Sequence, residues 1–169
     1  MKTPDSNSHY RLAIFKAIIA MNLKQKIYNH YLQLIHDKVA MLQQVLADLK
    51  ESGSNETKST AGDKHETALA MLQIEQANIR GQLQEALQQK AALGKIDPAI
   101  SAPMIVNGSL VKTNRGYLFV SIAAGKITID GINVISLSPQ SPLGQKLMGL
   151  KVGDSVEINN TEYLIESIV

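Results

Sequence analysis

The sequence predicts an α+β protein: an N-terminal antiparallel α-helical coiled-coil hairpin followed by a small antiparallel β-sheet domain with one helix. Three observations predict it. Two long stretches repeat apolar residues at alternating spacings of three and four, the period of helices that pack along a seam. Between them lies a stretch rich in turn-forming residues, Ser54 to Ala70 (SNETKSTAGDKHETALA). Beyond Pro98 the pattern shortens to runs of four to eight residues punctuated by turn signals, as in a compact sheet.

The polar residues 1–8, with Pro4, read as a loose terminus. From about His9 the pattern is helical. Tyr28, Leu32, Ile35, Val39, Leu42, Leu46 and Leu49 step by fours and threes without interruption. The seam extends back less cleanly through Met21, Ile18 and Ile14. Ile27, Tyr31, Leu34, Met41 and Val45 widen the stripe, so this helix should pack on more than one neighbour. The apolar run Leu12–Met21 is short, broken by Lys16 and followed by more helix, which argues against a signal peptide or a membrane span.

Periodicity stops at Glu51, and Ser52, Gly53, Ser54 and Asn55 favour turns over helix interiors. It resumes after Gly62. Leu69, Leu72, Gln76, Ile79, Leu83, Ala86, Lys90 and Leu93 again step by threes and fours until Gly94 and Pro98 end the helix. At 1.5 Å per residue this second arm is roughly 45 Å long. The expected organisation is a hairpin over residues 1–96 with its tip near 52–66, a linker at 97–103 (DPAISAP), and a sheet domain over 104–169. Strands are predicted at Met104–Val111, Tyr117–Ile122, Lys126–Ile129, Asn133–Leu137, Ser155–Ile158 and Tyr163–Ile168. Their turns are Asn114-Arg115-Gly116, Asp130-Gly131 and Asn159-Asn160. One helix interrupts them, with Ser141 as N-cap, Pro142 at its first position and Gly149 beyond its end.

Composition excludes several classes. The chain has no Cys, which removes disulfides, thiolate metal sites and a cysteine nucleophile. Aromatics make up 4% with no Trp, too few for a base-stacking platform. A net charge of +2 is too small for bulk binding to duplex nucleic acid. The four histidines are spaced unlike a zinc motif, and no P-loop or GxGxxG is present.

Ser141-Pro142-Leu143, then Leu147-Met148-Gly149, Val152-Gly153-Asp154, Val156-Glu157 and Tyr163-Leu164-Ile165 resemble the C-terminal domain of Gre-type transcript cleavage factors of bacterial RNA polymerase. Gly62-Asp63, Glu66, Glu75-Gln76 and Ile96-Asp97 fall at spacings similar to the tip and second helix of that family. The resemblance spans both halves and is closest over 136–166. It implies an FKBP-like sheet domain that docks at the rim of the polymerase secondary channel. It also implies a hairpin whose two tip carboxylates help hold a second Mg²⁺ at the polymerase active centre, so that backtracked RNA is hydrolysed. The factor is then no enzyme by itself. RNA polymerase is the implied partner, nascent RNA is met only indirectly, and the location is cytoplasmic; no membrane, small-molecule substrate or cofactor bound by the protein alone is expected. Ser141, Pro142 and Leu143 match the family's partner-contact region.

By motif position Asp63 and Glu66 are the carried-over Mg²⁺ pair, three apart and so on one face of a helical turn. The chemistry suits them, because Mg²⁺ takes hard oxygen ligands and is often held by one or two protein carboxylates. The same Asp63-Lys64-His65-Glu66 spacing also makes a capping box, with Asp63 as N-cap and Glu66 reaching back to the backbone. Asp48-Leu49-Lys50-Glu51 is a second-choice pair with equal spacing, placed before the turn. Residues 51–70 carry four carboxylates against two lysines, a net −2, whereas residues 1–50 carry +4. An acidic tip on a basic shaft suits a channel holding metal and RNA, and equally suits an ordinary coiled-coil surface. A non-catalytic regulator that occupies the same channel and competes with cleavage factors fits the long, altered tip. A prolyl isomerase fits poorly, because Tyr117, Phe119 and Tyr163 are the sheet domain's only aromatics.

Overall fold

Apolar periodicity dominates the first half of the chain, and the computed structural model, which describes residues 6–56 and 63–169, places two helices there. Helix α1 runs Ser6–Glu56 and α2 runs Asp63–Leu93. Strands β1 (Leu110–Thr113), β2 (Gly116–Val120), β3 (Gly125–Ile129) and β4 (Ile132–Leu137) follow, then helix α3 (Pro142–Leu147) and strands β5 (Ser155–Ile158) and β6 (Thr161–Ile168). The fold is α+β, as the sequence predicts. Its compact units are Met1–Tyr31 with Ala92–Val169, and Leu32–Ala91.

The unit Leu32–Ala91 is an antiparallel helical hairpin. Ile35, Val39 and Leu42 of α1 are buried, and Leu32, Leu46 and Leu49 on the same stripe are half-buried. Ile79 and Ala86 of α2 are buried, with Leu69, Leu72, Gln76 and Leu83 half-buried. These are the seam positions read from the spacing. Lys90 departs from it: it is exposed, and Gln89 is half-buried instead, which spares an ammonium the cost of desolvation.

Ser52–Asn55, expected to end the first helix, are helical, and α1 continues to Glu56. Ser52 Oγ bonds back to Asp48 O (2.9 Å) inside the helix, and Gln76 Nε2 of α2 donates to Leu49 O (3.2 Å). The helical context at Leu49 and Ser52 therefore overrides the local preference of Ser and Gly for turns. The rest of the expected turn, residues 57–62, lies outside the described residues.

In the other unit the six strands form one sheet in the order β3-β4-β2-β1-β6-β5. Every pair is antiparallel except β2 with β4. The chain reverses between β2 and β3 and again at the Asp130-Gly131 turn, whose two residues have φ of 50° and 78°. Such a turn closes a tight hairpin, so β3 and β4 pair directly and β4 lies beside β2, running the same way. Asn159 and Asn160, φ 49° and 59°, close the β5–β6 hairpin similarly.

The first strand is shorter than Met104–Val111. Residues 104–109 form a strap and turn, with Ser109 N bonded to Val106 O and Gly108 at φ 92°. Ile105 is wholly buried, and its backbone pairs with Leu150 O and Gly149 N, both at 2.8 Å.

Both faces of the sheet are covered. On one, Ile105, Val111, Leu118, Val120, Leu137, Leu147 and Ile165 form the core, with Leu143 of α3 packed against it. On the other, Phe119 stacks on Tyr31 of α1, ring centroids 6.1 Å apart. Ala20, Leu23, Lys24, Ile27 and Tyr31 recur at the helical period, and all but the half-buried Ala20 are buried. Two-sided burial explains why Leu118-Phe119-Val120 is continuously apolar rather than alternating. Lys24 Nζ donates to Ile100 O (2.6 Å), so residues 97–103 are fastened to α1 within this unit.

Candidate tip carboxylates and partner surface

Each candidate residue stands where a local sequence feature puts it. Helix α2 opens at Asp63. Glu66, three residues on, is exposed, and the two belong to one helical turn beside the 57–62 connection. Gly62 and the side chains of Asp63, Lys64 and His65 lie outside the described residues, so the capping box is not among the described contacts.

The second pair sits differently. Asp48 and Glu51 lie within α1, and Asp48 Oδ1 already accepts from Gln44 Nε2 (2.7 Å). Both are exposed on helical flank rather than in a turn. Glu75 is exposed, whereas Gln76 is half-buried and bridges the two helices: its amide donates to Leu49 O, and its oxygen accepts from Arg80 Nη2 (3.1 Å). A polar residue on the seam is satisfied by these bonds.

Ser141, Pro142 and Leu143 build the start of α3. Ser141 is extended (φ −66°, ψ 156°), and its Oγ accepts from Gly144 N (3.0 Å) and donates to Ser138 O (2.7 Å). Pro142 occupies the first helical position, where the missing N–H has no helical partner. Leu143 packs its side chain onto the core. At the opposite end the Met148 N–H closes on Gly144 O (3.1 Å), and Gly149 turns the chain at φ 83°. The basic turn Lys112–Arg115 is tied internally. Lys112 Nζ pairs with Glu166 Oε2 (2.9 Å), and that hydrogen bond holds its pKa above the ordinary lysine value.

A groove of about 850 Å³ in the sheet-containing unit has no signature in the sequence. Ala20 and Leu23 of α1 face Leu110, Tyr117, Ile132 and Ile168 across it, with Lys16, Lys112 and Glu166 also lining it. Each wall reads as ordinary core in the sequence; only the fold brings them together. Among the described residues no three His, Asp or Glu side chains converge as a metal site. No helix among them is long and apolar enough to cross a membrane.

No family model matches the chain. A search of curated proteins likewise finds no match. Among solved structures the chain is similar to one titled "Structure of the transcription factor Gfh1", with 21% identity, 85% of this chain and 91% of that chain covered, and a TM-score of 0.29. A whole-chain superposition of that quality transfers no residue roles, so the site is read from its own chemistry.

Proposed function

We propose that this chain is a transcription-elongation-factor-like protein that binds RNA polymerase at its secondary channel and stimulates cleavage of backtracked RNA through Asp63 and Glu66. The observation that supports this reading is the placement of the pair. Both belong to the opening turn of α2, beside the connection that joins the two arms of the hairpin, and Glu66 is exposed there. The residue pattern of 136–166, similar to the Gre type, supplies the choice of partner.

The donor set fits a shared Mg²⁺ and not a resident one. Two carboxylates offer hard oxygen ligands, and Mg²⁺ is commonly held by one or two of them with water and phosphate completing the shell. Asp63 and Glu66 would hold such an ion, which would supply water activation and stabilisation of a leaving oxygen. The chain's own part would be to offer the two carboxylates from the opening turn of α2, with the remaining ligands coming from the polymerase. On this reading the protein is an accessory factor of the cytoplasm, with Ser141, Pro142 and Leu143 at the docking surface.

The test is RNA cleavage in stalled, backtracked elongation complexes. Wild-type protein shortens the transcript from its 3′ end, whereas Asp63→Ala and Glu66→Ala each reduce the cleavage rate at least tenfold while retaining polymerase binding. Asp48→Ala/Glu51→Ala leaves the rate within about twofold; each tenfold corresponds to about 1.4 kcal/mol of barrier. Binding without any cleavage by the wild type would overturn this reading in favour of a channel-occupying regulator that competes with cleavage factors.

A further inference from the structure

The first turns of α1 carry more apolar surface than the fold uses. Tyr10, Leu12, Ile14, Phe15 and Ile18 are all between 52% and 71% exposed. At about 100° per residue they cover about 200° of the helix circumference. The other side chains of this stretch are already engaged, since Lys16, Ala17, Ile19, Ala20, Met21 and Leu23 line the groove against the sheet. Within the exposed arc, Ile14 and Ile18 continue the heptad seam back from Tyr28 through Met21.

Further along, that seam is covered by α2, which ends at Leu93, whose carbonyl accepts from Tyr28 OH (3.2 Å). Ile18 lies ten residues before Tyr28, or about 15 Å of helix. The seam therefore outruns its partner helix. We infer that a second copy of this chain covers it, the two α1 segments of residues 10–18 packing on each other as a two-fold pair.

Three observations select that occupant. Spacings of three and four call for another helix with an apolar stripe, and a two-fold pair supplies one from the same surface. The five side chains expose roughly 550 Å² on one copy, so a two-fold pair can bury about 1,100 Å² in all, past the roughly 1,000 Å² that a specific interface needs. A helix lying on a lipid surface needs a charged face turned to water, and here the face opposite the apolar arc packs on the protein's own sheet.

The test is the mass of the full chain in solution by sedimentation equilibrium at about 100 µM, well above a micromolar Kd. The expected mass is twice the 18.4 kDa of one chain. Ile14→Asp/Ile18→Asp should weaken association at least tenfold with unchanged far-ultraviolet circular dichroism. Because the chain has no cysteine, Ile18→Cys gives a second readout that keeps the native helix. A bifunctional maleimide should join two such chains at least tenfold faster than two chains carrying Gln82→Cys, on the exposed side of α2. A single-chain mass, a doubled mass indifferent to the charged variant, or equal crosslinking of both cysteine variants overturns the inference. So does a monomer that sediments with anionic vesicles through Ile14 and Ile18, which reassigns the face to lipid.

Discussion

Around Gly144 the absence of a side chain lets α3 begin where it does. A Cβ built at this position would lie 2.0 Å from Ser138 O and 2.9 Å from Ser141 Oγ, so backbone and cap both block it. The Ser-Pro-x-Gly order was legible as a helix start because Ser141 and Pro142 act through local geometry. The need for Gly144 was not, because the obstructing carbonyl belongs to the strand-to-helix corner and is fixed by Ser141 itself. Gly144→Ala should lower stability by about 3 kcal/mol, in the range of an overpacked site that also loses its capping bond. Ser141→Ala, which removes the cap alone, should lower it by about 1 kcal/mol. Urea unfolding of both variants checks the order, and equal losses would show that the carbonyl moves freely. Lys24 is a similar case: a lysine on a helix reads as solvated, and only the fold buries it against Ile100 O.

For the helices, the seam positions were readable because a period of three and four is the pattern by which long helices bury one stripe. Their ends were less so. Ser52-Gly53-Ser54-Asn55 carries local signals for a turn, yet α1 stays helical to Glu56, with Ser52 bonded back to Asp48 O and Gln76 of α2 bonded to Leu49 O just before it. The candidate pair at Asp63 and Glu66 was legible as a helix start, since α2 does open there. Gly81 shows the opposite situation, a residue that nothing in the fold requires. It lies within α2, is exposed, and a Cβ there would meet nothing within 4 Å. Gly81→Ala should therefore raise stability by about 0.5 to 1 kcal/mol, through helix propensity and a less disordered unfolded chain. A higher thermal midpoint with unchanged denaturant dependence is the expected result. A lower midpoint would mean that the site packs against something absent from the isolated chain.

Across the whole chain, the hairpin and the sheet were legible because each is written in local periodicity, while the contacts joining early and late segments were not. Tyr31 is the clearest example. Its place on a widened stripe predicted a second neighbour, but nothing in the sequence named Phe119 or the carbonyl of Gly125, 94 residues away. The hydroxyl donates to that carbonyl at 2.8 Å from a wholly buried ring. Burial pushes its pKa up from 10.0 to about 12, with Ser136, across the ladder from Gly125, pulling the other way. The sign follows directly. Below pH 10 the phenol is protonated whether folded or unfolded, and its contribution is complete. Between about pH 10 and 12 the unfolded chain gives up the proton while the folded chain keeps it, so stability falls by about 2 to 3 kcal/mol. Lys24 has the opposite sign: burial pulls its pKa below 10.5 against the pull of Asp97, so its cost is relieved as pH rises toward 10.5. The window from about 10.5 to 12 therefore isolates Tyr31 from Lys24. Tyr31→Phe should cost about 1 kcal/mol at neutral pH, the net value of one hydrogen bond. The difference between wild type and variant should then close, and reverse, as pH rises to about 12. Urea midpoints of the two proteins at matched pH measure that crossing. Parallel curves would mean that the hydroxyl reaches water in the folded state, and that the stacking on Phe119, not the bond to Gly125, is what fixes α1 on the sheet.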